Sequence, residues 1–377
     1  MSRNIVFFIP DLGGGGAEKV ITNFINYLTD NEMDNFKVTL IVNRLHGPNK
    51  ERIPKNITIF ELGKRNIIFS FFKLSRLLRS IKPECVLSTV RGANITLSLS
   101  RFFFRKYTWV LREANTFTNP GHSKGIKSTI IDIFCYVLYQ KADFIIANSP
   151  DTKKDIIEKC IGINEKRIIA LPNPVFSEKD IRYKDNIIPK NKSKKIISVG
   201  RLVPQKNYPG LIDAIYILKQ KNYYVQLDIY GEGFLEEELK RRIGEKDLDD
   251  YVTIKPFEKN IVAVYPSYDL FVLNSKWEGF GNVLVEAMNC GLPIVSTNCP
   301  GGPQFILPKK SKMVNLVAVD NPVALSNAIR EMFARDINAA DVNDFIEHSL
   351  HFSIENVCSQ YLNVINNAIN NKKPISI

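Results

Sequence analysis

The sequence predicts an α/β protein made of two Rossmann-like, parallel-sheet halves. Three observations carry this. The 377 residues are enough for two domains, each with its own core. Short apolar runs alternate with longer segments of helical period, first in one half and then in the other, which is the signature of parallel sheets covered on both faces. A polar, aperiodic stretch, FSEKDIRYKDNIIPKNKSK at 176–194, separates the two series. The expected organisation is an N-terminal domain over 1–176, a linker over 177–194, a C-terminal domain over 195–352, and a helical tail over 353–377 that crosses back to the N-terminal domain.

Taken in order, Ile5 to Pro10 reads as a strand, and GGGGAEKVITNFINYLTD as a glycine-rich loop and helix. Lys37 to Val42 is a second strand, Ile67 to Ser80 a helix, and Glu84 to Thr89 a third strand. Thr108 to Arg112 and Phe144 to Ser149 are further strands, with the apolar helix Thr129 to Lys141 between them. The second series runs strand 195–199, helix 208–221, strand 225–230, helix 235–243, strand 252–254 and strand 270–273. It ends in helix 282–290 and strand 294–296. Val357, Tyr361, Val364, Ile365 and Ile369 recur at helical spacing in the tail. In open parallel sheets, ligands sit beyond the carboxyl ends of the strands. Two such sheets facing one another are expected to make a deep interdomain cleft.

Bulk properties narrow the class. No run approaches eighteen uncharged apolar residues, so no membrane-spanning helix is expected. MSRNIVFFIPDLGG reads as a buried strand and turn and not as a signal peptide. The six cysteines are scattered without CxxC or Cys/His spacing, which argues against a zinc site or a disulfide framework, so a reducing cytoplasm is the expected compartment. The net charge is +12. Residues 51–127 hold fifteen Lys and Arg against four Asp and Glu, so nearly all of the excess lies there, and something anionic is expected to meet that surface.

The residues that carry chemistry follow strands. In SKWEGFGNVLVEAMNCGLPIVSTNCPGG, residues 275–302, Glu278 lies in a glycine-flanked loop and Glu286 about one turn into the following helix. The free N–H groups of a helix N-terminus attract phosphate, and a nearby carboxylate accepts from sugar hydroxyls. One segment can therefore hold a nucleotide sugar. In SVGRLVPQKNYPGL, Gly200 permits a turn, Arg201 offers a planar fork for phosphate oxygens, and Lys206 adds a point charge before a helix. Gly231, in Tyr230-Gly231-Glu232-Gly233, also follows a strand.

Together, SVGRLVPQKN, IYGEGF, NSKWEGFGNVLVEAMNCGLPIVST and HFSIENVCSQYL resemble the family 4 (group 1) retaining glycosyltransferases with the two-domain GT-B fold. The resemblance spans essentially the whole chain and is strongest from Ile196 to Gly302. It implies that Arg201 and Lys206 clamp the donor diphosphate, Glu286 accepts from the ribose, and Glu278 faces the donor sugar. It also implies that the amides of Gly279, Phe280, Gly281, Asn282 and Val283 cap phosphate or sugar oxygens. No metal or other cofactor is implied, because protein charge neutralises the leaving group. Glu278, Arg201, Lys206 and Glu113 are the catalytic candidates.

In the N-terminal half, GGGGAEKV is not read as an NAD fingerprint, because the second strand ends in Asn43 and Arg44 where an acid is wanted. Gly14 and Gly15 are instead assigned to close backbone approach to the donor phosphate. Arg91, Arg112 and Asn115 follow N-terminal strands and, with His122 in a Pro-Gly turn, are the acceptor candidates. Ala114 stands where many relatives carry a histidine near the reacting sugar, and Phe305 where relatives often have glutamate.

The expected activity is retaining transfer from a nucleotide sugar, UDP-hexose or UDP-N-acetylhexosamine, to a glycan acceptor, lipid-pyrophosphate-linked, in cell-surface polysaccharide or glycoprotein-glycan biosynthesis. The basic segment 64–106, with IIFSFFKLSRLLRS and SRFFFRKYTW, is expected to contact an anionic membrane at the inner face of the cytoplasmic membrane. Nucleic acid is not an expected partner. A sugar-nucleotide epimerase, a phosphorylase and a catalytically silent nucleotide-sugar-binding subunit stay open as alternatives.

Overall fold

The computed structural model describes residues 2–118, 126–181 and 194–371. The chain divides into two compact units. One runs to Val175 and resumes at Phe352, and the other is Phe176–His351.

The first unit contains strands β1 (Arg3–Ile9), β2 (Phe36–Val42), β3 (Thr58–Glu61), β4 (Cys85–Thr89), β5 (Thr108–Glu113), β6 (Phe144–Ala147) and β7 (Ile168–Ala170). They form one sheet in the order β3-β2-β1-β4-β5-β6-β7, with every pairing parallel. β1 lies inside the sheet, Ile5 opposite Val38 on one side and Cys85 on the other. Because successive side chains leave a strand on opposite faces, Ile5, Phe7 and Ile9 enter one core while Val6 and Phe8 enter the other. Helices on both faces explain why the strand has no polar alternation.

The tail forms helix Ile354–Asn371 and belongs to this first unit. Val357, Tyr361, Ile365 and Ala368 share the core of Ile5 and Phe7, and the Tyr361 ring meets Phe24 edge-on at 5.6 Å. The helix is stitched to β1 by Arg3, whose guanidinium donates to Asn366 at 2.7 Å.

The second unit contains β8 (Lys195–Val199), β9 (Gln226–Tyr230), β10 (Val252–Lys255), β11 (Leu270–Leu273), β12 (Ile294–Thr297) and β13 (Val314–Val317). Its all-parallel order is β10-β9-β8-β11-β12-β13. Both units are therefore parallel α/β layers, as the alternating pattern predicts.

The differences fall where the apolar signal is weak. β3, β7 and β13 are sheet edges, short and half-covered; polar residues interrupt the apolar run in β3 and β13, and β7 is only three residues long. The helix expected over 67–80 is a 3₁₀ turn, Ile67–Ser70, followed by an α-helix, Phe71–Ile81. The helix expected from Thr129 starts at Ile126, ends at Leu138 and passes into a 3₁₀ turn to Lys141.

Candidate functional site in the second unit

Three strand-end loops of the second unit meet. β8 leads through Gly200 and Arg201 into the turn Pro204–Lys206 and helix Tyr208–Gln220. β9 leads into Gly231, and β11 into the loop before helix Asn282–Asn289. The first two loops are zipped together: Gly200 N–H donates to the Tyr230 carbonyl at 3.0 Å and Leu202 N–H to that of Glu232 at 2.8 Å. A Cβ on Gly231 would lie 1.9 Å from the Gly200 carbonyl oxygen, so no larger residue permits this approach.

The Lys206 ammonium lies 2.6 Å from Glu278 Oε1, and the two side chains are only 12% and 6% exposed. Ser275 Oγ donates to the same oxygen at 2.5 Å. The Ser275 carbonyl in turn accepts from Thr297 Oγ1 at 2.6 Å, at the end of β12. Gln205 clamps the loop from the other side, donating to the Trp277 carbonyl at 2.9 Å and accepting from Lys276 N–H at 2.8 Å. Glu278 N–H donates to the Pro300 carbonyl at 2.9 Å. The adjoining glycine pair completes the clamp, since a Cβ on Gly302 would stand 1.7 Å from the Phe280 carbonyl oxygen. Ser275, Thr297, Gln205 and Gly302 are not found by the sequence reading; the GGP run is the one signal that points toward Gly302.

Gly281 turns the chain into the helix with φ of 101°, in the region that favours glycine. The amides of Asn282 and Val283 thus stand at the positive end of the helix, next to the loop of Gly279 and Phe280. Glu286, one turn in, is buried. The fully buried Tyr265 adjoins it: burial and then the Glu286 carboxylate hold that phenol well above its ordinary range. Burial, then Glu278, pushes the nearby Cys299 thiol up to about 12. Arg201 is exposed. The second unit therefore carries an exposed guanidinium and an ammonium on one strand-end loop, the ammonium locked to a carboxylate on another, and a buried carboxylate at a helix start. Among the described residues no three His, Cys, Asp or Glu are grouped to hold a metal ion.

In the first unit Gly15 precedes helix Gly16–Asn31, and Gly14 has open space beyond the Pro48 ring, 3.5 Å from its notional Cβ. The loop is backed by Asn49, which donates to the Gly13 carbonyl at 2.5 Å.

Two expectations are corrected. Arg112 is fully buried. Its Nε donates to Tyr361 Oη at 3.1 Å, and its terminal nitrogens donate to Thr89 and Asn173. It ties β5 to the C-terminal helix and presents nothing to an acceptor. Glu113 is 1% exposed. Its Oε1 accepts from the Ala114 and Asn115 amides and its Oε2 from Tyr139 Oη at 2.6 Å. It is not open to substrate as a catalytic group would be; it shapes the turn after β5. Arg91 lies 2.7 Å from Asp132 and 3.6 Å from Glu113 and donates to the Thr116 carbonyl at 2.8 Å. Burial alone would lower its pKa, but the neighbouring carboxylates outweigh this and raise it. Asn115 is exposed on the turn these groups hold. His122 lies outside the described residues.

The family model described as glycosyl transferases group 1 matches residues 180–348, and that described as glycosyltransferase family 4 matches residues 14–179. The chain is 29% identical over 351 residues to a Campylobacter jejuni N-acetylgalactosamine-N,N'-diacetylbacillosaminyl-diphospho-undecaprenol 4-alpha-N-acetylgalactosaminyltransferase, covering 89% of this chain and 91% of the relative. It is 23% identical to the Erwinia amylovora amylovoran biosynthesis glycosyltransferase AmsD, over 87% of this chain and 92% of that one. In fold it resembles a Rickettsia africae glycosyltransferase, with TM-score 0.79 and 16% identity over 98% and 99% of the two chains. It also resembles Anabaena HepE in complex with UDP and glucose, with TM-score 0.76 and 19% identity over 96% and 99%. The two family models lie end to end along this chain, and both sheets are parallel α/β layers: the protein belongs to the group 1, family 4 glycosyltransferases and has the GT-B fold.

Proposed function

We propose that this glycosyltransferase moves a hexose or N-acetylhexosamine from a UDP-sugar to a lipid-pyrophosphate-linked glycan, with retention at the anomeric carbon and without a metal ion. The observation that carries this reading is the Lys206–Glu278 pair beside the start of helix Asn282–Asn289. A diphosphate entering there takes Lys206 from Glu278 and gains Arg201 and the helix amides. Glu278 is then freed for the hydroxyls of the donor sugar, and Glu286 accepts from the ribose. As the glycosidic bond to the diphosphate breaks, negative charge grows on the leaving oxygen. Fixed positive groups stabilise it there at no cost in reorganisation. No further carboxylate is assigned as a nucleophile. Retention is therefore assigned to a front-face route, in which the departing phosphate takes the acceptor hydroxyl's proton.

The Campylobacter relative supports the acceptor class, since its name specifies a diphospho-undecaprenol-linked substrate, and HepE, in complex with UDP, supports the base. The acceptor is assigned to the first unit, where Arg91 and Asn115 follow strand ends, and the Gly14–Gly15 loop is assigned to the donor phosphate. Its lipid places the enzyme at the inner face of the membrane, with the basic segment 64–106 toward it. No described helix is long and apolar enough to cross a bilayer.

The test is a panel of nucleotide sugars screened for thermal stabilisation, followed by transfer to a lipid-pyrophosphate acceptor with the product anomer assigned by NMR. UDP-sugars are expected to stabilise, and Glu286→Ala to weaken UDP binding at least about ten-fold, the worth of a hydrogen bond to a charged group. Unchanged UDP affinity in Glu286→Ala and in Lys206→Ala refutes the site. Donor binding with no transfer to any acceptor favours the silent-subunit reading.

A further inference from the structure

Sixteen large apolar side chains are exposed among the described residues, and eight of them fall on three neighbouring elements of the first unit. Phe69 and Phe72 stand at the start of helix Phe71–Ile81, and Phe102 and Phe103 on the turn after helix Arg91–Ser100. Phe69 and Phe102 are 70% and 67% exposed. The Phe72 and Phe103 rings lie 4.8 Å apart, and Arg79 donates to the Phe103 carbonyl at 2.8 Å. The aromatic cluster is therefore held in place and does not consist of loose side chains.

The second group was not anticipated from the basic segment. Ile130, Ile133, Phe134 and Val137 recur at spacings of three and four along helix Ile126–Leu138, and all four are exposed. This is an apolar stripe turned away from the core. Helix Arg91–Ser100 packs against both neighbouring helices, and Lys141, just past the stripe, sits 3.6 Å over the Phe102 ring. The two groups are thus joined side by side.

Charge selects the occupant. Residues 62–110 hold ten Lys and Arg against a single acid, Glu84. The acid of the striped helix, Asp132, is buried against Arg91, so the outward stripe carries none. Two copies of so basic a surface repel one another, whereas an anionic leaflet attracts it. Phenylalanine and isoleucine among snorkelling cations suit the headgroup–acyl boundary.

We infer that the Phe69/Phe72/Phe102/Phe103 cluster and the outward stripe of helix Ile126–Leu138 together form one surface that inserts into an anionic lipid bilayer. This rests on the reading that the acceptor is lipid-linked, and it extends the contact beyond the basic segment to an apolar face that enters the membrane.

Flotation with vesicles of equal parts phosphatidylethanolamine and phosphatidylglycerol, without donor or acceptor, tests it. The double variants Ile133→Glu/Val137→Glu and Phe102→Ser/Phe103→Ser replace exposed side chains, and each lowers the vesicle partition coefficient at least about ten-fold. Arg76→Ser/Arg105→Ser/Lys106→Ser lowers it comparably at low salt. Phe134→Trp fluorescence is quenched by brominated acyl chains. Wild-type partition equal on phosphatidylcholine vesicles, no loss in Ile133→Glu/Val137→Glu, or no quenching overturns the inference. So does a wild-type dimer that these variants make monomeric without any vesicle binding. UDP binding, measured without vesicles, is unchanged in all of these variants. Wild-type protein that binds UDP but does not float with the vesicles therefore rejects this surface alone, whereas wild-type protein that floats but does not bind UDP rejects the donor site alone.

Discussion

Replacing Lys206 by alanine separates what this lysine does for the fold from what it does for the ligand. Its ammonium lies 2.6 Å from Glu278, with both side chains nearly buried. Removing one partner of such a pair leaves a carboxylate desolvated and uncompensated, which costs about 3–5 kcal/mol. The lower end is expected here, because Ser275 Oγ still donates to the same oxygen. Lys206→Ala therefore destabilises the second unit by about 3 kcal/mol, a large part of a typical domain's stability but not all of it. The double variant Lys206→Met/Glu278→Gln removes both charges at similar volume and regains stability to within about 1 kcal/mol of wild type. UDP affinity behaves differently. Both variants lose a charge-assisted contact to the diphosphate worth about 1.5–3 kcal/mol, or roughly ten- to a hundred-fold. Urea unfolding followed by Trp277, buried beside Glu278, in a Trp109→Phe background, reads the first quantity, and titration calorimetry reads the second. If the double variant recovers UDP affinity along with stability, Lys206 is a structural residue and its assignment to the diphosphate is wrong. If Lys206→Ala costs less than about 0.5 kcal/mol, the pair is screened as a surface ion pair would be, and its burial has been misjudged.

Tyr361→Phe removes the acceptor for Arg112 Nε and leaves a buried charged donor unpaired. It should destabilise the first unit by about 1.5–3 kcal/mol without changing UDP affinity, as thermal unfolding and calorimetry together would show; a loss of UDP affinity would contradict the purely structural role given to Arg112. His348 is held below its ordinary pKa of 6.5, first by burial and also by His351, against the opposing effect of the Ile306 carbonyl. The unfolded chain then binds the extra proton first, so stability is full above pH 6.5 and falls as the pH drops below it. His348→Gln should flatten that limb of the stability–pH curve, and an unchanged slope would show that other groups carry it.

The sequence alone determined the class of fold, because the period of apolar residues is a local property. A buried parallel strand such as β1 is apolar at every position from Ile5 to Ile9, and the segments between strands repeat every three or four residues. The glycine-flanked Glu278, the helix bearing Glu286 and the loop of Arg201 and Lys206 are contiguous motifs, so they too were readable. Edge strands such as β3 and β13 were not, since their half-covered segments, TIFE and VNLV, carry no continuous apolar run. Pairing between distant residues was equally hidden. That Lys206 faces Glu278, 72 positions on, depends on β8 and β11 being neighbours in the sheet. That Arg112 faces Tyr361, 249 positions on, depends on the C-terminal helix returning to the first unit. For the same reason Arg112 and Glu113, which read as ligand groups because they end a strand, are core residues. Whether a polar side chain meets solvent or a buried partner is decided by which elements pack over it, and only the folded chain brings those elements together.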